Sequence, residues 1–145
     1  MSTKIVIAED DKTLAKYLCE SFKEDGSFEV IPASDGEKAI KAITKNKPDI
    51  VLLDIIMPKK NGFEVLEAVS QEPSCKGIPI IMLSNLSQPK DFEEAKKLGA
   101  VDYFVKVDFD TAEIIKKVKL IDMIQNQRLF KLKLSMKLKM VILQD

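Results

Sequence analysis

Four places along the chain carry side chains that could act together on a charged group. Acids cluster at Glu9-Asp10-Asp11, Asp54 closes the apolar run 49–53, Ser84 follows the run 78–83, and Lys106 follows the run 101–105. Three carboxylates gathered in one place cannot all stay ionised without a counter-charge, and a divalent cation is the usual solution. Magnesium favours a few carboxylates plus water and phosphate oxygens over a closed protein cage. A cation there would screen an incoming phosphoryl group from the acids, and one carboxylate could then attack phosphorus to form an aspartyl phosphate. Lys106 could neutralise one phosphoryl oxygen and the Ser84 hydroxyl could hydrogen-bond another. Each residue alone has a plainer role. Acids after a strand commonly cap a helix, Asp54 suits a turn, Ser84 is an ordinary loop hydroxyl and Lys106 a solvated lysine. It is the recurrence of polar groups at the ends of successive apolar runs that departs from the plain readings.

The elements that must position these groups follow from periodicity. Residues 4–8, 28–32, 49–53, 78–83 and 101–105 read as strands, and 49–53 is apolar enough to be buried on both faces. Between them, Leu14, Tyr17, Leu18 and Phe22 recur at helical spacing up to Gly26, and Ser34 with Glu37 forms a capping-box pattern before Ala39, Ile40 and Ile43. Phe63, Val65, Leu66 and Val69 mark a third helix, and Phe92, Ala95 and Leu98 a fourth stopped by Gly99. Asp110 with Glu113 caps a fifth, running through Ile114, Val118 and Ile121 to about Ile124. Five strands alternating with five helices require crossovers, hence a parallel sheet with helices on both faces. The expected fold is α/β, a flavodoxin-like doubly wound sheet in the order 2-1-3-4-5. In such sheets ligands bind outside the carboxyl ends of the strands, where Glu9, Asp10, Asp54, Ser84 and Lys106 all fall.

Composition bounds the function. The chain has 145 residues with 23 basic and 23 acidic side chains, a size for one domain plus an appendage. It has no histidine, which excludes a Ser-His-Asp triad, a histidine metal cage and the role of histidine-bearing donor in a phosphotransfer chain. Cys19 and Cys75 lack metal or redox spacing and are expected to be free thiols. No run reaches the roughly 18–20 apolar residues of a membrane span, and a cytoplasmic location is expected.

The zero net charge hides an asymmetry. Residues 128–145 carry Arg128, Lys131, Lys133, Lys137 and Lys139 against Asp145, a net of +4, which leaves −4 for residues 1–127. The division expected is therefore a domain over 1–127 and a basic amphipathic extension over 128–145. From Lys131 to Ile142 the apolar residues alternate with lysines, a period of two that puts them all on one face of a strand. An amphipathic strand over 129–143 is expected, at a sheet edge or outside the domain, and an exposed edge strand invites pairing with a second copy. Nucleic acid and membrane contacts are not expected, since Phe130 is the one aromatic residue among the lysines.

Taken together, Ala8-Glu-Asp-Asp11, Leu53-Asp-Ile-Ile-Met-Pro58 with Gly62, Met82-Leu-Ser-Asn85 and Gly99-Ala-Val-Asp-Tyr-Phe-Val-Lys106 resemble the receiver domain of two-component response regulators, in order and in spacing, over residues 4 to about 125. The resemblance implies that Asp54 is the phosphoacceptor, that Glu9, Asp10, Asp54 and the backbone carbonyl of Ile56 hold Mg2+, and that Ser84 and Lys106 meet the phosphoryl group. It implies that Tyr103 is the aromatic switch that turns inward when Ser84 is drawn to the phosphate. It further implies a histidine kinase or histidine phosphotransfer protein as donor and a downstream protein as target. No separate turnover of a substrate is expected beyond the gain and loss of the receiver's own phosphoryl group.

Two departures from the family pattern stand out. Val107 occupies the position after the lysine where proline is usual, so a trans bond and an altered loop are expected, because a non-proline cis bond costs about 2.5–4 kcal/mol. Ile56 and Leu86, which flank the phosphoryl site, are both apolar, and shielding from water predicts a long-lived phosphoryl state. Loss of phosphate within seconds would contradict that. Two other function classes compete. One is an aspartyl-phosphate hydrolase, which would carry a second aspartate two residues after the nucleophile, where Ile56 stands. The other is a degenerate receiver acting as a phosphorylation-independent scaffold or dimerisation module. The eighteen extension residues are too few for a DNA-binding or catalytic output domain, so protein–protein output is expected.

Overall fold

A computed structural model describes residues 2–144; the outermost positions of the expected division, Met1 and Asp145, lie outside the described residues. Five strands, β1 (Thr3–Ala8), β2 (Phe28–Ala33), β3 (Ile50–Leu53), β4 (Ile80–Ser84) and β5 (Asp102–Val105), pair in parallel in the order β2-β1-β3-β4-β5. Five α-helices connect them: α1 (Lys12–Asp25), α2 (Gly36–Asn46), α3 (Gly62–Ser70), α4 (Pro89–Lys97) and α5 (Thr111–Gln144). This is the doubly wound flavodoxin-like arrangement expected from the alternation of the elements.

The apolar runs are explained by two cores, one on each face of the sheet. Side chains alternate across a strand, so Val6, Val51, Leu53 and Met82 pack with Ala39, Ile43, Leu66 and Ala95 of α2, α3 and α4. The intervening Ile5, Ile7, Leu52 and Leu83 pack with Leu18 and Phe22 of α1 and Ile114 and Val118 of α5. Both cysteines are free and buried in these cores. Each strand thus points its carboxyl end at one rim, and the polar residues Glu9, Asp54, Ser84 and Lys106 at the ends of β1, β3, β4 and β5 fall there.

The cap expected at the start of α2 is displaced by one residue. Asp35, not Ser34, is the N-cap of α2, accepting from the Lys38 N–H at 2.8 Å. A buried carboxylate is the stronger acceptor at the positive end of the helix. Asp110 and Glu113 cap α5 reciprocally as expected, Glu113 N–H donating to Asp110 at 2.8 Å.

The expected strand over 129–143 does not form: α5 runs unbroken for 34 residues through that segment. Between Thr111 and Gln144 there is no glycine or proline, and Leu, Lys, Met, Arg and Gln dominate, all strong helix formers. A lone strand leaves its backbone groups unpaired, whereas a helix satisfies its own, so local propensity overrides the period-two pattern. The helix also crosses the expected boundary at residue 127 without interruption. No helix among the described residues is long and apolar enough to cross a membrane.

Candidate functional site

At the carboxyl rim of the sheet β1 delivers Glu9 and Asp10, and β3 delivers Asp54. Oxygens of these three carboxylates lie within 4.8 Å of one another. Glu9 and Asp54 are buried, whereas Asp10 is exposed. Asp11, the fourth acidic residue in the neighbourhood, has the capping role instead. Its carboxylate accepts from the Leu14 N–H at 3.1 Å, and its own N–H donates to Glu9 Oε2 at 3.1 Å.

Lys106, just past β5, reaches back into the cluster. Its ammonium pairs with Glu9 Oε1 and donates to Asp54 Oδ2 at 2.9 Å. Burial alone would lower the Lys106 ammonium, but the hydrogen bonds to the two carboxylates outweigh it and raise it above the ordinary value. Glu9 is shifted upward, chiefly by burial and further by the neighbouring charge of Asp54, with Lys106 opposing. The single cation therefore balances only part of the negative charge gathered here. The other Asp54 oxygen, Oδ1, accepts the Ile55 N–H at 2.7 Å. Both oxygens of this carboxylate are thus oriented by fixed donors.

The loop after β3 is held by two glycines at close approaches. A Cβ on Gly62 would lie 2.3 Å from the Asp54 carbonyl oxygen, and one on Gly36 would lie 1.9 Å from that of Lys60. Gly62 N–H donates to the Ile55 carbonyl at 2.7 Å, while the next carbonyl, that of Ile56, receives no backbone donor among the described residues. Asp35 pairs with Lys59 at 3.7 Å, tying the start of α2 to the same loop. Sequence reading missed this clasp. Its signal was the Asp35-Gly36 pair at a helix start, where glycine serves for lack of a side chain.

Ser84, at the end of β4, is buried, and its Oγ accepts the Leu86 N–H at 3.3 Å. On β5, Tyr103 donates its hydroxyl proton to the Leu86 carbonyl at 2.6 Å and meets Phe92 of α4 edge-on, with ring centroids 4.5 Å apart. Leu86 therefore joins the Ser84 and Tyr103 side chains through its own two backbone groups. Burial, with Asp91 adding to it, pushes the Tyr103 phenol up to about 12. The sequence pattern marks Phe92 only as a helix residue and does not single out Asp91. Asp91 lies buried, capping α4 with its carboxylate accepting the Gln88 N–H at 3.0 Å. After Lys106 there is no cis peptide bond among the described residues, and a short 3-10 turn, Lys106–Asp108, carries the chain to α5.

The acids fit a magnesium site by donor chemistry: hard oxygen ligands on one open side, one of them exposed, with an uncommitted backbone carbonyl alongside. Glu9, Asp10, Asp54 and Ile56 are the residues that would hold it. The rim as a whole offers a buried carboxylate held by two donors, a cation beside it and a buried hydroxyl linked through one peptide to an aromatic side chain.

Comparison with known proteins bears on this rim. A family model described as the response regulator receiver domain matches residues 5–119. A candidate response regulator from Chloroflexus aurantiacus J-10-fl is 32% identical, with a TM-score of 0.76, covering 85% of this chain and 99% of that one. The chemotaxis protein CheY4 of Vibrio cholerae is 28% identical, with a TM-score of 0.74 and coverages of 82% and 98%. A LuxR-family DNA-binding response regulator from Staphylococcus aureus is also 28% identical, with a TM-score of 0.76 and coverages of 83% and 98%.

Proposed function

The chain belongs to the response regulator receiver family, and from that premise we propose that it accepts a phosphoryl group on Asp54 and so switches a protein-interaction surface. The donor is a phosphohistidine on a histidine kinase or phosphotransfer protein, since this chain has no histidine of its own. The observation that carries the reading is Asp54 itself. Its carboxylate is buried at a strand end with one oxygen held by the Ile55 N–H and the other by Lys106. A nucleophile fixed in place loses little freedom on reaction, which is the larger part of what catalysis of phosphoryl transfer needs.

In the step proposed, an Asp54 oxygen forms the bond to phosphorus as the bond from phosphorus to the donor imidazole nitrogen breaks. The imidazole leaves as the neutral ring, its other nitrogen already carrying a proton taken from water. Mg2+, when bound by Glu9, Asp10, Asp54 and the Ile56 carbonyl, supplies positive charge to the phosphoryl oxygens. Lys106 transfers part of its hydrogen bonding from Asp54 to the phosphoryl group. Phosphorylation places about −1.5 to −2 of charge and strong acceptors at this point.

The switch is then local. Ser84 Oγ accepts the Leu86 N–H and keeps its own proton to donate, so a shift of the hydroxyl toward a phosphoryl oxygen pulls on the Leu86 peptide. That move loosens the peptide whose carbonyl holds the Tyr103 hydroxyl. Repacking of Tyr103 against Phe92 changes the surface of α4, β5 and α5, and a partner that prefers one arrangement shifts the population. The downstream target is a protein, and a second copy of this chain is a further partner through residues 128–145.

The degenerate-scaffold reading makes a different prediction for one experiment. Incubation with Mg2+ and a small acyl phosphate is expected to add one phosphoryl group to the wild type by intact mass. None is expected on Asp54→Asn, or on wild type with the metal chelated. An unmodified wild type would favour the scaffold. The same adduct followed over time tests the shielding by Ile56 and Leu86, which predicts persistence well beyond seconds.

A further inference from the structure

Every residue from Asn126 to Gln144 is exposed, although the segment is helical throughout. A free helix of this length is marginal in water, and contiguous exposed apolar surface marks a contact site. On a helix, at about 100° per residue, the period-two pattern sends successive apolar residues to nearly opposite sides. Two stripes result. Leu129, Leu132, Met136, Met140 and Leu143 form one, and Phe130, Leu134, Leu138 and Val141 form the other. The first is continuous with the face by which Ile114, Val118 and Ile121 pack onto the sheet. At its foot a groove of about 390 Å³ opens beneath the domain, its apolar wall formed by Pro48, Ile78, Pro79, Leu129 and Leu132. Asp49 and Asp122 line the same groove.

We propose that the first stripe and this groove receive the same stripe of a second copy, packed antiparallel. The proposal rests on the homodimer reading above and gives it a geometry. Charge selects the direction. Between Asp122 and Asp145 the only charged residues are basic, so parallel helices would set lysine against lysine along their length. An antiparallel pair with its two-fold axis between Leu129 and Leu132 brings Lys139 of each copy to Asp122 of the other. The same arrangement carries Met136 of each copy to Gln125 of the other, in the groove beside Asp49. Such an interface is isologous and closes at two copies. The lysines that remain near one another lie at the exposed edges, where salt screens them over about 8 Å at physiological ionic strength, while the apolar contact persists. The stripe repeats at three-four-four spacing from Leu129 to Leu143, an eleven-residue period that matches nearly straight helices.

Sedimentation of the full chain at micromolar concentration tests it. A dimer is expected, weakened at least about tenfold by Leu132→Lys and left intact by Leu134→Lys on the opposite stripe. Mixing a Gln125→Cys chain with a Met136→Cys chain under mild oxidation is expected to give the mixed disulfide, with little dimer from Met136→Cys alone. A monomeric wild type would overturn both the dimer and its geometry. A dimer that Leu134→Lys dissolves while Leu132→Lys does not, or one in which Met136→Cys chains link to each other, would overturn the geometry and leave the dimer standing.

Discussion

The two ends of α5 obey different constraints. At Ile114 and Val118 it is buried against the sheet, while from Asn126 to Gln144 every residue of the same helix is exposed. In the domain, each apolar position answers to a neighbour, and a substitution there disturbs packing. In the extension, apolar residues are as frequent but stay exposed. An apolar pattern therefore identifies a core only when the fold supplies the facing surface, and otherwise it identifies a contact with another molecule.

Substitutions at the two sites should separate these cases. Leu53→Ala, at a fully buried position under the rim, is expected to cost about 2–5 kcal/mol in urea or thermal unfolding. Gly62→Ala should follow at roughly 1–3 kcal/mol, because its new Cβ would press on the Asp54 carbonyl oxygen. It should also slow phosphoryl uptake by displacing the loop that carries Ile56. If Gly62→Ala leaves both stability and uptake unchanged, the close approach does not position the site.

Tyr103 gives a smaller and pH-dependent effect. Its phenol keeps its proton up to about 12 in the folded protein, against 10 for the ordinary group. The folded state therefore holds a proton that the unfolded state releases between those values. This contribution is fully present below pH 10 and is lost as the pH rises from 10 toward 12. Absorbance titration should show a late tyrosine step toward pH 12. The late step should vanish in Tyr103→Phe, which also loses the hydrogen bond to Leu86, worth about 0.5–1.5 kcal/mol. Absence of any tyrosine step above 10 would contradict the buried, hydrogen-bonded position of Tyr103.

The smallest effect belongs to the extension. Leu134→Ala, on the stripe turned away from the proposed interface, is expected to shift unfolding by no more than about 0.5 kcal/mol. A loss comparable to that of Leu53→Ala would mean that the extension folds back on the domain after all.

How far the sequence could be read follows the same division. The strand runs, their order and the rim residues Glu9, Asp10, Asp54, Ser84 and Lys106 were legible because burial on both faces of a parallel sheet leaves a strong apolar signal, and the first polar residue after each run must fall at the rim. The Asp35-Gly36 clasp on the loop at Lys59 and Lys60 was not legible. Its contact spans elements, and an Asp-Gly pair at a helix start does not say which loop it meets. The hydrogen bonds joining Ser84 and Tyr103 through Leu86 were hidden for a like reason, since they use backbone groups that every residue carries. The strand expected over 129–143 failed because a period of two fixes a face only once a sheet is there to pair with. Without one, the helix-forming residues decided the conformation, and the alternation became two opposite stripes.

The most direct measurement of the central claim is a residue-resolved amide spectrum of the full chain before and after phosphorylation by a small donor with Mg2+. The account predicts large shifts at Ile55, Leu86 and Tyr103, with residues 129–144 unmoved. A protein phosphorylated on Asp54 whose Leu86 and Tyr103 amides stay in place would contradict it.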